Sequence, residues 1–242
     1  MKKPVCFVAC YDCPNGASSR TWQFSKGLSN NGHAITFITS NYNHFMIEKR
    51  KINGLFYEEE VLNGIKVVWI NSLNFGKNFF LRFLHLVFYS VLSFIVSLKY
   101  INSGTVTMGT SVPLPLSISA LLAAKIKRSK FIFEIRDVWP EELIEIGSIS
   151  RHGLVAKLLR FIEKLLCKKS QHIISALPNV GPHLLEIDKN LSFDYVPNPI
   201  DENLQYHDYN GGKDNHLRIL YLGGSGKAMS IETILDAYFL LP

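Results

Sequence analysis

Cysteine is scarce in this 242-residue chain, which has four cysteines, at positions 6, 10, 13 and 167. Four scattered thiols are too few for the disulfide framework of a secreted domain and favour a reducing compartment. Cys10 and Cys13 have redox-motif spacing, but Asp12 between them and the following Pro-Asn-Gly turn disfavour that chemistry. A zinc site would need two further ligands, and the other cysteines fall in a predicted strand and a predicted helix. We expect no metal and interpret the cysteines as small apolar core residues.

Long apolar runs are also lacking, since none clearly reaches the about 20 residues that a membrane-spanning helix needs. The run after the N-terminal lysines, residues 5–10, is short for a signal peptide and typical of a buried strand. The most apolar stretch lies within residues 79–100, and its core at residues 83–98 includes His85 and three serines. It is compatible with a buried helix, with a helix at a membrane surface and, less well, with a transmembrane helix.

Negative charge is in deficit, with 20 Asp and Glu against 26 Lys and Arg, a formal net charge of +6. This balance indicates an anionic partner, which could be nucleic acid, an acidic membrane surface or a phosphorylated substrate, and charge alone does not choose among them. The hydrophobic fraction of 47% is enough for a buried core and excludes a disordered tail.

Short β-branched runs alternate with helical patterns along most of the chain, which predicts an α/β fold built on a doubly wound parallel sheet. The polar stretch 41–60 precedes an Asn-Gly turn signal and is interpreted as a surface excursion or hairpin. The helix predicted over residues 154–167 is expected to bury one apolar stripe. Its members are Leu154, Leu158, Phe161, Ile162 and Leu165. The predicted strands cover 5–9, 34–39, 65–70, 104–110, 130–135 and 172–175.

The chain divides by composition into three parts. Residues 1–200 form a first domain, and the polar, glycine-containing residues 201–216 are a linker. Residues 217–242 contain one strand (217–222), a glycine-rich turn and a helix (230–241). One strand and one helix cannot cover each other's apolar faces, so we expect only the beginning of a second domain, loosely docked.

Two loops carry candidate chemistry. The loop after the first strand contains Gly16, which allows close backbone approach, and Arg20, which could meet an anion at a helix start. The segment FEIRDVWPEE, residues 133–142, places acids on both sides of Arg136, and a salt-bridged structural corner is one interpretation. The alternative is a substrate-holding group at the mouth of a cleft, with Trp139 as a wall for a sugar ring.

The segment FEIRDVWPEELIEIG, residues 133–147, resembles the corresponding strand and loop of family-four retaining glycosyltransferases of the GT-B fold. The resemblance is closest to the bacterial branch that transfers N-acetylated amino sugars such as N-acetyl-L-fucosamine in surface polysaccharide synthesis. Further motifs agree in order and extend the resemblance over the whole chain. They are Pro14-Asn15-Gly16-Ala17 with Arg20, Gly32-His33, residues 63–67, Glu163 and Pro197-Asn198.

The resemblance implies two Rossmann-like domains, the first binding the acceptor and the second, only begun here, binding a nucleotide-diphosphate sugar, with no cofactor. It assigns Arg136 and Asp137 to catalysis, Asp137 as a polar stabiliser of the transferred sugar. It assigns substrate binding to Gly16, Arg20, Trp139, Glu141 and Asn198. It assigns binding of the donor diphosphate to Gly223, Gly226 and Lys227.

The function implied by the resemblance is transfer of a sugar from a nucleotide sugar to a lipid-diphosphate-linked or glycan acceptor in O-antigen or capsule synthesis. The expected location is cytoplasmic, peripheral on an anionic inner-membrane face, with no nucleic-acid partner. An alternative is a non-catalytic nucleotide- or sugar-binding regulatory module on the same fold. Because a GT-B cleft needs both domains, residues 1–242 are expected to be a truncated enzyme that is inactive alone.

Overall fold

An eight-stranded sheet organises the chain in the computed structural model, which describes residues 2–14, 19–42, 49–73, 79–199, 220–223 and 229–240. Its spatial order is β3-β4-β2-β1-β5-β6-β7-β8, and every neighbouring pair is parallel except β3 with β4. The predicted α/β class with a mostly parallel sheet is therefore confirmed. The strands are β1 (Val5–Val8), β2 (Ile35–Ser40), β3 (Tyr57–Leu62), β4 (Ile65–Ile70), β5 (Val106–Thr110), β6 (Lys130–Ile135), β7 (His172–Ser175) and β8 (Asp194–Tyr195).

Helices connect these strands and cover the sheet. Ser19 caps the first of them, because its side chain accepts a hydrogen bond from the Trp22 amide. The helices are α1 (Arg20–Asn30), α2 (Phe79–Tyr100), α3 (Leu114–Ile126), α4 (Glu141–Glu145), α5 (Leu154–Lys169), α6 (Gly181–Ile187) and α7 (Ile231–Phe239).

The polar stretch before β4 contains an antiparallel hairpin, as one of the two interpretations predicted. β3 pairs with β4 over its full length. Asn63 and Gly64 form the turn with φ angles of 51° and 76°, a left-handed backbone that favours these two residue types.

The core has two layers because successive strand residues point to opposite faces of the sheet. On one face Cys6 and Val8 pack with α2, α3 and α5. On the other face Phe7 and Phe37 pack around Trp22 of α1, whose ring meets Phe37 edge to face at 5.4 Å.

Three cysteines lie in this core, as the sequence interpretation expected. Burial raises the pKa of the Cys6 and Cys167 thiols to about 12 and raises the pKa of Cys10 well above its usual value. A thiol held protonated in this way is a poor nucleophile, so these side chains contribute to the packing of the core.

The predicted buried stripe of α5 is largely wrong. Of its five members only Ile162 is buried, while Leu154, Leu158 and Phe161 are exposed. The helix has a second usable face, in which Leu159, Leu166 and Cys167 pack on the core together with Glu163. Burial of Glu163 is possible because its Oε1 lies 2.8 Å from Nε2 of His183, so the carboxylate has a partner.

The predicted strand at 217–222 is described only from Leu220 onward, and Leu220 to Leu222 are irregular and exposed. The described residues offer them no neighbouring strand, and an extended segment without a hydrogen-bonded neighbour is not a sheet strand. The predicted helix that follows is present as α7, and none of its residues is buried. The linker prediction, 201–216, lies outside the described residues.

Candidate functional site

The candidate site lies at the carboxyl edge of the sheet, where the strand order changes direction. β1 pairs in parallel with β2 on one side and with β5 on the other. The helix after β1 packs on one face of the sheet, and the helix after β5 packs on the other. Connections that leave neighbouring strands on opposite faces are the arrangement at which open parallel sheets bind ligands, in a crevice outside the carboxyl ends of the strands.

Asp12, which follows β1, is the centre of this edge. Its carboxylate accepts hydrogen bonds from Ser19 Oγ at 2.9 Å and Thr21 Oγ1 at 2.8 Å. It also accepts one from the Arg136 guanidinium at 2.8 Å. Thr39, at the end of β2, donates to the Asp12 carbonyl at 2.5 Å. Asp12 thus joins the ends of three strands, a role that the sequence interpretation missed because it treated this residue only as a spacer between two thiols.

Arg136 and Asp137, the predicted catalytic residues, follow β6 and lie at this edge. The hydroxyl of buried Ser111, after β5, accepts hydrogen bonds from both of their amides, at 3.0 and 3.1 Å. These two bonds fix the backbone from which both side chains project. Ser111 carried no signal in the sequence beyond its position at a strand end.

The two side chains differ in their surroundings. Burial alone would lower the pKa of Arg136, but the charges of Asp12 and Glu134 outweigh it and raise the pKa. Burial raises the pKa of Asp137, and the neighbouring Arg136 charge opposes that effect. Within the described part of the chain, no side chain donates a hydrogen bond to the Asp137 carboxyl. Asp137 is therefore a desolvated acid at the crevice with capacity for a ligand.

Arg20, predicted to contact substrate, is buried, with 3% of its side chain exposed. Its Nε donates to Glu134 Oε1 at 2.7 Å. Its terminal nitrogens donate to the carbonyls of Val196 and Pro197, both at 2.6 Å, and to Asn198 Oδ1 at 3.2 Å. A substrate contact by Arg20 or Asn198 stays a prediction, and in this structure their contact holds the chain after β8 against α1.

Glu134, near the end of β6, is the carboxylate partner of Arg20 and is fully buried. Its second carboxylate oxygen, Oε2, has no hydrogen-bond partner within the described residues. Burial raises the pKa of Glu134, while the Arg20 and Arg136 charges lower it. One of the two sequence interpretations paired Arg136 with the acids that flank it, but the structure pairs Glu134 with Arg20 and Arg136 with Asp12.

The other predicted residues of the segment lie along the same loop. Trp139 is half-buried and packs against the core. Glu141 accepts a hydrogen bond from Arg160 at 2.8 Å and lies 3.8 Å from Arg151. Its carboxylate is thus already paired with α5, and its predicted contact with substrate is untested.

The predicted diphosphate loop is only partly described. Gly223 is exposed. Gly226 and Lys227 lie outside the described residues, as does Gly16 of the first loop. The roles predicted for all four stay predictions.

No family model matches the sequence, and no curated protein matches it either. Among solved structures, 34 chains are similar to it. One of them is described as trehalose-6-phosphate from E. coli bound with UDP-2-fluoro glucose. It shares 10% sequence identity with a TM-score of 0.47, over 76% of this chain and 43% of that chain. This chain therefore spans less than half the length of that structure, and a likeness at this identity concerns the fold alone.

Proposed function

We propose that the chain is the acceptor-binding part of a retaining GT-B glycosyltransferase of the family-four type. The enzyme to which this part belongs transfers a sugar from a nucleotide-diphosphate sugar to a lipid-linked or glycan acceptor of cell-surface polysaccharide. The observation that carries the proposal is the pair Arg136 and Asp137, a cation and a desolvated carboxyl held side by side at the switch point of a parallel sheet.

Asp137 supports the proposal through its free hydrogen-bonding capacity. A carboxylate can accept several hydrogen bonds, and those to the hydroxyls of a sugar would replace the water that burial has removed. Its half-buried position keeps the group accessible, while partial removal from water strengthens each bond. We assign Asp137 the orientation and polar stabilisation of the transferred sugar.

Arg136 supports the proposed function through its positive charge. The contact with Asp12 engages one nitrogen of the guanidinium, and the group has five N–H donors in a planar fork. About a quarter of the side chain is exposed, 27%. A cation prepositioned in this way stabilises negative charge that develops in a transition state without having to reorganise.

The donor side of the proposal rests on the resemblance. Backbone amides around Gly223 and Gly226 and the Lys227 ammonium would stabilise the leaving nucleotide diphosphate. The resemblance also implies that the reaction uses no cofactor.

The proposal predicts nucleotide-sugar-dependent transfer by the protein as its gene encodes it. Incubation with a panel of labelled nucleotide sugars and a lipid-diphosphate acceptor is expected to yield labelled lipid-linked product. Omission of the acceptor is the control and removes the product. Tight binding of nucleotide or sugar with no transfer to any acceptor would contradict the proposal and favour a regulatory module.

We also propose that the protein works at an anionic membrane surface, and α2 supports this. The helix is long and apolar enough to cross a membrane by length and composition. Its arrangement, however, is that of a helix lying on a surface, because its polar residues His85, Ser93 and Ser97 face the core. Tyr89, Leu92 and Val96 are buried with them, while a second set of large apolar residues is exposed on the outer side: Leu81, Phe83, Leu84, Val87, Phe88, Val91 and Ile95.

An apolar outer face of this kind is unusual on a protein surface that contacts only water, since contiguous exposed apolar side chains mark contact with a partner or a membrane. α3 packs beside α2 and adds exposed Leu122 and Ile126. Exposed Lys125 and Arg128 lie at the end of α3. An apolar surface next to cations fits the interface of an anionic bilayer.

Co-sedimentation with anionic liposomes is the test of this surface. Val91→Asp is expected to reduce the bound fraction about tenfold, because one buried valine is worth roughly that factor in a binding equilibrium. The matched control is Val61→Asp on β3, where the valine is 69% exposed outside this face. Binding should also weaken in high salt. Equal loss in both variants, or no binding by the parent protein, would contradict the membrane proposal.

A further inference from the structure

Two cations lie at the carboxyl edge of the sheet, on the side of β2 and β4. Lys49 belongs to the segment between β2 and β3, and Arg82 belongs to the first turns of α2. Within the described part of the chain, no carboxylate lies within ion-pairing distance of either side chain. Two cations without a neighbouring acid attract an anionic ligand.

Buried Asn41 fixes the segment that carries Lys49. Asn41 directly follows β2, and its Nδ2 donates to the Arg50 carbonyl at 2.8 Å. Its Oδ1 accepts a hydrogen bond from the amide of Ser72, just after β4, at 2.9 Å. Lys49 Nζ donates to the Ser72 carbonyl at 2.5 Å. The ammonium, which has three N–H donors, is therefore held at the ends of β2 and β4.

α2 places Arg82 just beyond the end of β1. The Tyr89 hydroxyl donates to the Ala9 carbonyl at 2.5 Å, and His85 Nε2 lies 3.7 Å from Cys10 Sγ. Earlier residues of α2 thus meet later residues of the β1 end. Arg82 precedes His85 by three residues, about 4.5 Å along the helix axis and on the same side of the helix. Its exposed side chain therefore lies at the crevice edge of the sheet.

The charges of both cations act on one buried imidazole, which places them near each other. Burial, followed by the charges of Arg82 and Lys49, lowers the pKa of His85 to about 4. Burial also lowers the pKa of Lys49, because its ammonium is partly removed from water. A partly desolvated cation gains more from an anionic partner than a cation in water does. His85 is neutral at pH 7, so the positive charge here comes from Lys49 and Arg82.

The spacing of the two cations suits a diphosphate. Lys49 lies at the end of β4 and Arg82 near the end of β1, with β2 between these strands. Neighbouring strands are about 4.8 Å apart, so about 10 Å separates the two strand ends. Two long side chains that approach from opposite sides can both reach a diphosphate in that interval.

An apolar surface begins directly beside Arg82. Leu81 and Phe83 are exposed on the first turns of α2, and exposed Val87 and Val91 continue along the helix. Cations at one end of an exposed apolar helix face match a ligand that has a charged end and an apolar chain. A lipid diphosphate has this structure, whereas a nucleotide or a free phosphate has no group for the apolar part.

On the basis of the proposed function, we propose that Lys49 and Arg82 bind the diphosphate of a lipid-linked acceptor. The apolar chain of this acceptor follows the exposed side of α2. Its diphosphate end then lies beside the crevice from which Arg136 and Asp137 project.

Direct binding of a soluble prenyl diphosphate, with neither donor nor liposomes present, tests the subsite. Farnesyl diphosphate is the probe for the protein as its gene encodes it, and farnesol and inorganic pyrophosphate each carry one part of the probe. Titration calorimetry is expected to show farnesyl diphosphate binding about tenfold tighter than either part. Lys49→Gln and Arg82→Gln should each weaken its binding about tenfold, the scale of one charge-assisted hydrogen bond. Lys51→Gln, an exposed cation of the same segment, is the matched control and should bind like the parent.

Transfer assays supply a second readout. Lys49→Gln and Arg82→Gln are expected to raise the KM for the lipid acceptor about tenfold and to leave the KM for the nucleotide sugar unchanged, because the cations meet only the acceptor. Binding of farnesyl diphosphate that depends on both cations, in a protein that transfers no sugar, would support the subsite and contradict the proposed function.

Three results would overturn the subsite. The first is equal binding of farnesyl diphosphate by the parent and by both variants. The second is no preference for farnesyl diphosphate over farnesol. The third is inorganic pyrophosphate or uridine diphosphate bound as tightly as farnesyl diphosphate, which would assign the cations to a free anion or to the donor instead of a lipid-linked acceptor.

Discussion

Arg20→Met is expected to lower the free energy of unfolding by about 3–5 kcal/mol, the usual cost of removing one partner of a buried ion pair. The substitution leaves the Glu134 carboxylate, which is fully buried, without its cation. It also removes the donors to the carbonyls of Val196 and Pro197. Chemical denaturation monitored by circular dichroism measures the change.

The pH dependence of this variant has a definite sign. Burial raises the pKa of Glu134, and the Arg20 charge is the main influence that lowers it. Without Arg20 the folded-state pKa rises further above the unfolded value. A carboxyl with a raised folded-state pKa loses stability as the pH rises through that value. The deficit of Arg20→Met should therefore be smaller at pH 5 than at pH 8.

Two controls separate the buried pair from ordinary ion pairing. Arg160→Met removes the partly exposed pair with Glu141 and should cost less than about 1 kcal/mol. The double variant Arg20→Met with Glu134→Leu should recover part of the loss, because no buried charge is left unpaired. A loss for Arg20→Met no larger than for Arg160→Met would contradict a stabilising role for the buried contacts of Arg20.

Asp137→Asn and Arg136→Ala are each expected to lower the turnover of glycosyl transfer about a hundredfold, the scale of losing one preorganised stabilising group. Asp137→Asn keeps the size of the side chain and removes its charge. Arg136→Ala removes the cation, and Asp12 retains its bonds from Ser19 and Thr21, so the fold should survive. Steady-state transfer assays of the protein as its gene encodes it, with thermal unfolding in parallel, measure both effects.

The matched control for these variants is Glu145→Gln, an exposed acid at the end of α4, which should leave turnover unchanged. Arg136→Lys keeps the charge and loses the planar fork, so an intermediate loss is expected. Unchanged turnover in both Asp137→Asn and Arg136→Ala, with the fold intact, would remove the two residues from the site.

Local patterns in the sequence were sufficient for most strands. β4 and β6 occupy the predicted residues 65–70 and 130–135, and β7 occupies 172–175. Their β-branched and apolar runs bounded by turn residues are a local signal that needs no knowledge of distant neighbours. The same alternation of strands and helices also predicts that the residues after β6 lie at the ligand-binding edge.

The partners of the charged residues were decided only by the tertiary structure. Arg20 and Glu134 are 114 positions apart, and Arg136 and Asp12 are 124 apart. The sequence spacing around residue 136 allowed a local pairing with flanking acids as one of two interpretations. Ion pairing in a buried edge depends on which groups lose water together, and the strand order that brings them together is not encoded in any single segment.

Which side of each amphipathic helix is buried was also determined by the tertiary structure. α5 has two apolar faces, and the sequence favoured Leu158 and Phe161, whereas the structure buries Leu159 and Leu166. In α2 the structure buries His85 and Ser93 beside Leu92 and leaves the apolar side with Val91 and Ile95 exposed. Periodicity defines the stripes on a helix, but the free energy of burial depends on the surface that each stripe meets. That surface exists only after the sheet has formed.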